Sequence, residues 1–241
     1  MGILILKDLP IAYIEEISAI VITDLHIGFE YELEKNGIKI PFQEQEFVEI
    51  LKNAKERTNS KKIILLGDVK HKVPRAKKIE IVRIKEFLKK LSEEFEKVII
   101  CKGNHDDKIE YIVPENVEVK SSRGFLYKNY GFFHGHAWPF SKLWNAKNWL
   151  IGHLQPMIEI YKNGKKVIER VVIKGRPKRK IGKLENIIIL PSFNPLVGGL
   201  ILNKTKNLKD FIFEKILDLH NSLVFLLDGT EIDSLENILN H

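Results

Sequence analysis

The 241-residue chain has one cysteine and no apolar run near the roughly 18 residues that a membrane-spanning helix needs. A single cysteine, Cys101, excludes an internal disulfide and agrees with a reducing compartment. It lies in the apolar run VIICK, so we expect it to pack in the core. The first residues, MGILILKDLPIAYIEE, lack the basic region of a signal peptide. We therefore expect a cytoplasmic protein without a membrane anchor.

The sequence also lacks internal repeats, low-complexity segments and a flexible linker. Its length suits one domain with a sizeable core, and its content of 44% hydrophobic and 29% charged residues is ordinary for a globular protein. We expect a single domain over residues 1–241, in which a partly helical segment 205–241 packs on the body. The net charge of +7 allows a polyanionic partner but does not require one.

Strand-like and helix-like segments alternate in the first half of the chain. Residues 42–58 and 76–91 carry apolar side chains at helical spacing, and each segment follows an apolar strand candidate. The second half consists of short strand candidates joined by turns, among them Asn163-Gly164, a pair typical of a type I′ hairpin. This pattern predicts a layered α/β fold.

Five short polar clusters stand where strands should end: Asp24-Leu25-His26, Gly67-Asp68, Gly103-Asn104-His105-Asp106, His134-Gly135-His136 and Gly152-His153-Leu154-Gln155. Strand ends are where α/β sheets collect their ligands. Carboxylate, amide and imidazole donors brought to one place indicate a site for divalent metals, and two such ions can clamp a phosphate for in-line attack. A lone Asp-x-His or Gly-Asp is more often a turn, but five clusters in order favour a metal-dependent hydrolase.

These clusters, in this order over residues 18–156, resemble the motifs of the calcineurin-like metallophosphoesterases. The blocks DLHIGFE with NGIKIP, GDVKH and PSFNP look most like an archaeal branch related to the Mre11/SbcD nucleases, and bacterial ligase-associated phosphoesterases are similar. The resemblance implies an α/β/β/α sandwich that binds two divalent ions, with Mn²⁺ favoured and Mg²⁺, Fe²⁺, Ni²⁺ or Zn²⁺ open. It implies hydrolysis of phosphate esters, with phosphodiesters such as nucleic acid or nucleotides favoured, and leaves a homodimer open.

The resemblance also assigns metal ligands: Asp24 and His26 to the first ion, Asp68 to both ions, and Asn104, His134 and His153 to the second. His105 would protonate the leaving oxygen after attack by a metal-bridging hydroxide, and Asp106 would orient His105. A held, protonated imidazole beside a cationic site stabilises developing charge, which agrees with that role.

Gln155 departs from the family pattern, which has a second histidine at the position that would complete the first metal site. A glutamine oxygen binds transition metals more weakly than imidazole does. We therefore expect the first site to bind weakly, to take a water as ligand, or to favour a harder ion such as Mn²⁺ or Mg²⁺. His71 and His136 lie close to the motifs and are candidates for contact with substrate, although a solvated loop position is an equal alternative for His71.

Two other functions stay open on the sequence. One is a phosphomonoesterase or nucleotide pyrophosphatase acting on a small molecule, and the other is a non-catalytic scaffold with a degenerate metal site. Residues 174–183, KGRPKRKIGK, carry six cations that would attract a phosphodiester backbone if they lay beside the metals. A solvated loop without a partner is the alternative for this segment.

Overall fold

The computed structural model of the chain describes residues 2–71, 78–205 and 215–240. Six strands form the first sheet: β1 Ile3–Ile5, β2 Ala12–Ile14, β3 Ala19–Ile22, β4 Lys62–Leu65, β5 Lys97–Cys101 and β6 Val117–Lys120. They lie in the order of the chain. The pairs β1–β2 and β2–β3 are antiparallel, whereas β3 to β6 run parallel, as strands joined by helical crossovers must.

Nine strands form the second sheet: β7 Phe125–Tyr127, β8 Tyr130–Phe133, β9 Asn148–Ile151, β10 Pro156–Lys162, β11 Lys165–Gly175, β12 Asn186–Ile189, β13 Leu200–Ile201, β14 Leu223–Leu226 and β15 Glu231–Ser234. The main path is β13-β10-β11-β12-β9-β8-β7, with β14 paired to β11 and β15 to β14. Strands β8, β9 and β12 are parallel. Their first residues therefore share one edge of the sheet, and their last residues share the opposite edge.

The described α-helices are α1 Glu30–Lys35, α2 Glu44–Thr58, α3 Lys78–Glu94 and α4 Leu235–Asn240; short 3-10 helices span Glu15–Ile17, Ile109–Tyr111, Ser141–Asn145 and Leu202–Lys204. Successive side chains of β3 point to opposite sides of the sheet, and all of them are buried, so both faces of the sheet are covered here. Ile20 and Ile22 pack with α2 and α3, whereas Ala19 and Val21 belong to the core shared with the second sheet. Helices, sheet and second sheet are thus layered, which confirms the predicted α/β class.

Several predicted elements are confirmed at close to their expected bounds. Helix α2 lies within segment 42–58, and α3 begins within segment 76–91 and continues to Glu94. Asn163 and Gly164 both have positive φ, 53° and 74°, and join Lys162 to its strand partner Lys165, as a type I′ turn requires. The sequence pattern did not reveal α1, which is only six residues long and buries Glu30 alone.

In the C-terminal segment, β14 extends the second sheet through β11, and Leu235 and Ile238 of α4 join the core. Residues 206–214 of that predicted segment lie outside the described residues, and the division of the chain into one domain stays a prediction. No described helix has the length and apolarity that crossing a membrane requires. Cys101 is fully buried as expected, and burial raises the pKa of its thiol to about 12.

Candidate metal centre

Five of the seven predicted ligands form two triads where β3 and β4 of the first sheet and β8 and β9 of the second sheet end. Asp24, His26 and Asp68 form one triad, and Asp68, His134 and His153 form a second. Within each triad, one nitrogen or oxygen atom from every residue lies within 4.8 Å of the others. Asp68 belongs to both triads, as a carboxylate that bridges two ions would.

The distances between charged atoms show how closely the two triads are built around Asp68. His26 Nε2 lies 3.6 Å from Asp68 Oδ2 and 3.8 Å from Asp24 Oδ1. His134 Nε2 lies 3.3 Å from Asp68 Oδ2 on the other side. Both imidazoles therefore direct a nitrogen towards the same carboxylate.

His134 tests whether this arrangement suits a metal ion. Its Nδ1 donates a hydrogen bond of 2.6 Å to the Leu66 carbonyl, so Nε2 is the atom that faces the carboxylates. That nitrogen is buried, and no hydrogen bond reaches it from the described part of the chain. A buried nitrogen held in this way fits a metal ligand, because its second ring nitrogen is already fixed by the backbone.

Asp24 and Asp68 give a second test. Their exposed fractions are 0% and 2%, and neither pairs with a lysine or arginine among the described residues. Burial raises the pKa of each carboxyl, but the His134 imidazolium and the hydrogen bonds that the carboxylates accept together outweigh burial and hold both pKa values below their usual range. Burial likewise disfavours the charged form of His134, and the two carboxylates reverse this and raise its pKa to about 9. Without metal, a proton balances these anions, and a divalent ion can replace it.

The backbone at this edge is strained. Five candidate site residues have left-handed φ: Asp24 at 55°, His26 at 44°, Asp68 at 50°, His153 at 68° and Gln155 at 49°. Such conformations persist only where the surroundings impose them, and they concentrate at functional sites. Here Asp24 N donates to the Gly67 carbonyl at 3.1 Å and His26 N donates to the Asp68 carbonyl at 2.8 Å, which ties the two strand ends together.

Supporting side chains that the motifs did not single out fix the segment around Asp24. Thr23 Oγ1 donates to Asp24 Oδ2 at 2.6 Å, and Ser192 Oγ donates to the Asp24 carbonyl at 2.8 Å. The buried Asn194 donates from Nδ2 to the Leu25 carbonyl at 2.9 Å. The PSFNP block, which contains Ser192 and Asn194, was the sequence signal that could have indicated these two contacts. However, an asparagine before proline is also common in turns.

His105 stands at the mouth of the centre, with 29% of its side chain exposed and Nε2 4.0 Å from Asp68 Oδ2. Its Nδ1 hydrogen-bonds to the His71 carbonyl. The carboxylate of Asp106, expected to orient His105, instead accepts hydrogen bonds from backbone amides of Gly103, Val69 and Lys70. Asp106 therefore acts on the loops that carry the site, and the contact with the His105 ring comes from the His71 carbonyl.

The remaining candidates lie around the triads. His71 Nδ1 is 3.4 Å from His26 Nδ1, and its Nε2 pairs with Glu32 at 2.8 Å. The His136 ring lies 5.3 Å from the His134 ring, centroid to centroid, beside the second triad. Asn104 is exposed in the loop after β5, and its role as a ligand stays a prediction.

Gln155 reaches the first triad, but through its amide nitrogen. Nε2 donates to Asp24 Oδ1 at 2.7 Å and lies 3.1 Å from His26 Nε2. The amide thus presents a hydrogen-bond donor to two atoms that a metal ion would otherwise contact. To serve as a ligand, the amide must turn its oxygen towards them.

The basic segment 174–183 lies away from the metal centre. Strand β11 ends at Gly175, which pairs with Ile187 near the start of β12. The triads follow the opposite ends of the parallel strands β8 and β9. The segment therefore does not lie beside the metals, where it would have attracted a phosphodiester bound there.

The sequence pattern of the calcineurin-like phosphoesterase family matches residues 17–181, which is more than half of the chain. The chain belongs to the calcineurin-like phosphoesterase family. The matched range includes every residue of the two triads. The family acts on phosphate esters with divalent metal ions, which is the chemistry that the triads fit.

Solved structures extend the comparison. The nuclease MPE of Pseudomonas putida superposes with a TM-score of 0.57 at 17% identity, covering 95% of this chain and 92% of that one. The phosphoesterase Yfce of E. coli gives a TM-score of 0.42 at 13% identity, with 89% and 96% coverage. At these identities the likeness to MPE concerns the fold. No curated protein matches the sequence, and the Mre11/SbcD-related branch, the cytoplasmic location and a homodimer stay predictions.

Proposed function

We propose that this calcineurin-like phosphoesterase is a phosphodiesterase whose two triads hold two divalent ions, with Mn²⁺ favoured. The observation that carries the proposal is the position of Asp68 in both triads, between His26 and His134. Divalent ions at such a centre neutralise phosphate oxygens and activate a water for attack on phosphorus.

His105 supplies the proton for the leaving oxygen. Its side chain is 29% exposed, whereas that of His26 is 5% exposed, so His105 is the more accessible to a bound ester. The hydrogen bond from Nδ1 to the His71 carbonyl fixes the ring and leaves Nε2 to hold and release the proton.

The shared fold of the nuclease MPE supports a phosphodiester substrate, with nucleic acid or nucleotides as the favoured class. We infer the substrate class from this comparison and not from charge, because two divalent ions outweigh the negative charges of Asp24 and Asp68 and would attract a diester and a monoester alike.

The two metal sites are unequal. The second triad has two imidazoles and a carboxylate, and His134 is fixed for coordination by the Leu66 carbonyl. At the first triad, the Gln155 amide donates to Asp24 and must rotate before its oxygen can bind an ion. The first ion therefore binds more weakly than the second, and harder ions such as Mn²⁺ or Mg²⁺ suit an oxygen ligand.

The test compares hydrolysis of bis(p-nitrophenyl) phosphate and p-nitrophenyl phosphate in Mn²⁺ by the wild type, Asp68→Asn and Asp107→Asn. Loss of groups that merely support a ligand costs about 10- to 100-fold. We expect removal of the shared carboxylate to lower diester turnover at least about 100-fold. Asp107→Asn makes the same chemical change at an exposed neighbour and should leave turnover unchanged.

Other outcomes would replace the proposal. Faster turnover of the monoester by the wild type would assign the site to a phosphomonoesterase of small molecules. No turnover of either ester, with no metal found by elemental analysis after purification without chelator, would assign it to a scaffold. Equal activity of Asp68→Asn and Asp107→Asn would remove Asp68 from the mechanism.

A further inference from the structure

A cleft lined by cations lies at the edge where β8, β9 and β12 begin. Its volume is about 880 Å³, and Lys147, Arg176, Lys180 and Lys183 line it. An adjoining cavity of about 670 Å³ shares Lys147 and Arg176 and adds Lys174. We call these five residues and the space between them the basic cleft.

The charge of the basic cleft is largely unbalanced. Glu185 is the one carboxylate among the described lining residues, and it pairs with Lys147 at 3.1 Å. Arg176, Lys180 and Lys183 are exposed, and none of them forms an ion pair with a described residue. Cations gathered along a concave surface reinforce one another's field, and they attract a polyanion more strongly than the same charges scattered.

The cleft and the metal centre occupy opposite ends of the same strands. Asn129 lines the cleft just before β8, and His134 follows that strand at the other edge. The five steps along the chain from Asn129 to His134 span about 17 Å at about 3.3 Å per residue. A ligand in the cleft therefore does not occupy the metal centre. Because β8 is buried, a strand of nucleic acid that reaches both must pass over the surface by a path longer than this distance.

We propose that the basic cleft is a second nucleic-acid site, which binds the phosphate backbone of a substrate strand while the metal centre hydrolyses another part of that strand. The choice of ligand rests on the proposed phosphodiesterase function. Two adjoining cavities that share Lys147 and Arg176 form a continuous track, which suits a repeating anion. The side-chain amides of Asn129 and Asn186 can hydrogen-bond to sugars and base edges beside that track.

The decisive variant reverses three unpaired charges, Arg176→Glu, Lys180→Glu and Lys183→Glu. The control variant is Lys85→Glu, Lys90→Glu and Lys165→Glu, which changes the net charge equally at exposed positions outside the cleft. Binding of a fluorescein-labelled 30-nucleotide single strand is followed by anisotropy in EDTA, so that no hydrolysis occurs. Turnover of bis(p-nitrophenyl) phosphate in Mn²⁺ is measured on the same proteins.

We expect the cleft variant to bind the strand at least about tenfold more weakly than the control variant. Its slope of log affinity against log salt should be smaller by about 2, because three phosphate contacts each contribute about 0.7 on a single strand. Turnover of the small diester should be unchanged in both variants, since neither alters the metal edge. Equal loss of binding in the two variants would overturn the proposal.

A competition experiment separates nucleic acid from an acidic protein partner. An unlabelled single strand should displace the labelled one at lower charge concentration than poly-L-glutamate does. Displacement by poly-L-glutamate with equal or better efficiency would assign the cleft to an acidic polypeptide and overturn the proposal. A different result would show that only the proposed phosphodiesterase function is wrong. In that case the strand would still bind through the cleft, but neither p-nitrophenyl ester would be hydrolysed.

Discussion

At the metal edge, where strands of both sheets end at the triads, most of the charged groups are buried, and several are carried by residues with left-handed φ. At the opposite edge of the second sheet, four of the five cations of the basic cleft are exposed and Lys174 is half-buried, and Arg176, Lys180 and Lys183 lack the left-handed φ. Strands β8 and β9 thus run from a surface where exposed cations lie together to a centre where a few buried charges have fixed positions. Substitutions at the metal edge should act singly and strongly, whereas those at the cleft should act in small, roughly additive steps.

Salt distinguishes the two edges for the same reason. Exposed charges are screened over about 8 Å at physiological ionic strength, and buried pairs are screened much less. Binding through the cleft should therefore fall steeply with salt, while the contacts among Asp24, Asp68 and His134 should not. Single substitutions at each edge test whether this contrast is real.

The largest effect that we expect comes from Gly103→Ala, at the metal edge. A Cβ atom on Gly103 would overlap Asp68 Oδ1 and the backbone nitrogen of Asp68, so the shared ligand would have to move. Overpacking of this kind costs about 1–3 kcal/mol. We expect a loss of that size in the free energy of unfolding by urea, and a fall in diester turnover of about 100-fold, since misplacement by about 1 Å is that costly.

Gly198→Ala is the matched control, because a Cβ there meets no atom within 4 Å and the glycine lacks a positive φ. Its stability and turnover should stay at the wild-type values. If Gly103→Ala behaved in the same way, the close fit around Asp68 would carry no functional weight, and the contrast between the two edges would fail.

The sequence predicted the residues of the triads better than the hydrogen bonds that hold them in place. Strand ends placed Asp24 and Asp68 together, because the ends of parallel strands of one sheet share an edge. His134 follows a strand of the other sheet, and the resemblance to the family indicated that it joins them. Local sequence does not show contacts between distant segments. The hydrogen bond from Ser192 to the Asp24 carbonyl joins positions 168 residues apart, and no short motif encodes it. The same limit applies to the basic segment, whose charge was evident and whose edge depended on the direction of β11.

The next effect concerns metal affinity and follows from Gln155→His. Replacing the amide removes the donor that faces Asp24 and offers an imidazole in its place, so the first site should bind Mn²⁺ about tenfold more tightly. Titration of the free Mn²⁺ signal by electron paramagnetic resonance resolves a weak and a strong site. The difference in Mn²⁺ affinity between the two sites should become smaller, while the affinity of the strong site stays unchanged.

His153→Gln is the mirror of that change, since it puts an amide in the second triad. It should weaken the strong site and leave the weak one unaltered. If Gln155→His instead changed neither affinity, the amide would not limit the first site, and the proposed inequality between the two sites would be wrong.

The smallest effect is expected at the cleft, from Glu185→Gln. Glu185 and Lys147 form a pair whose side chains are both more than half exposed, so the pair itself adds little to stability. Removing the carboxylate leaves Lys147 free to contact a phosphate, so a labelled strand should bind about twofold more tightly at low salt. This gain should vanish near 0.5 M salt, where charges interact over only a few ångströms.

Glu93→Gln, on α3, is the control, since it removes a similarly exposed carboxylate that faces Lys89 and should not change strand binding. Glu185→Gln should strengthen binding of the strand, whereas the three charge reversals in the cleft should weaken it. An equal gain in Glu185→Gln and Glu93→Gln would show that the net charge of the protein, and not the cleft, attracts the strand.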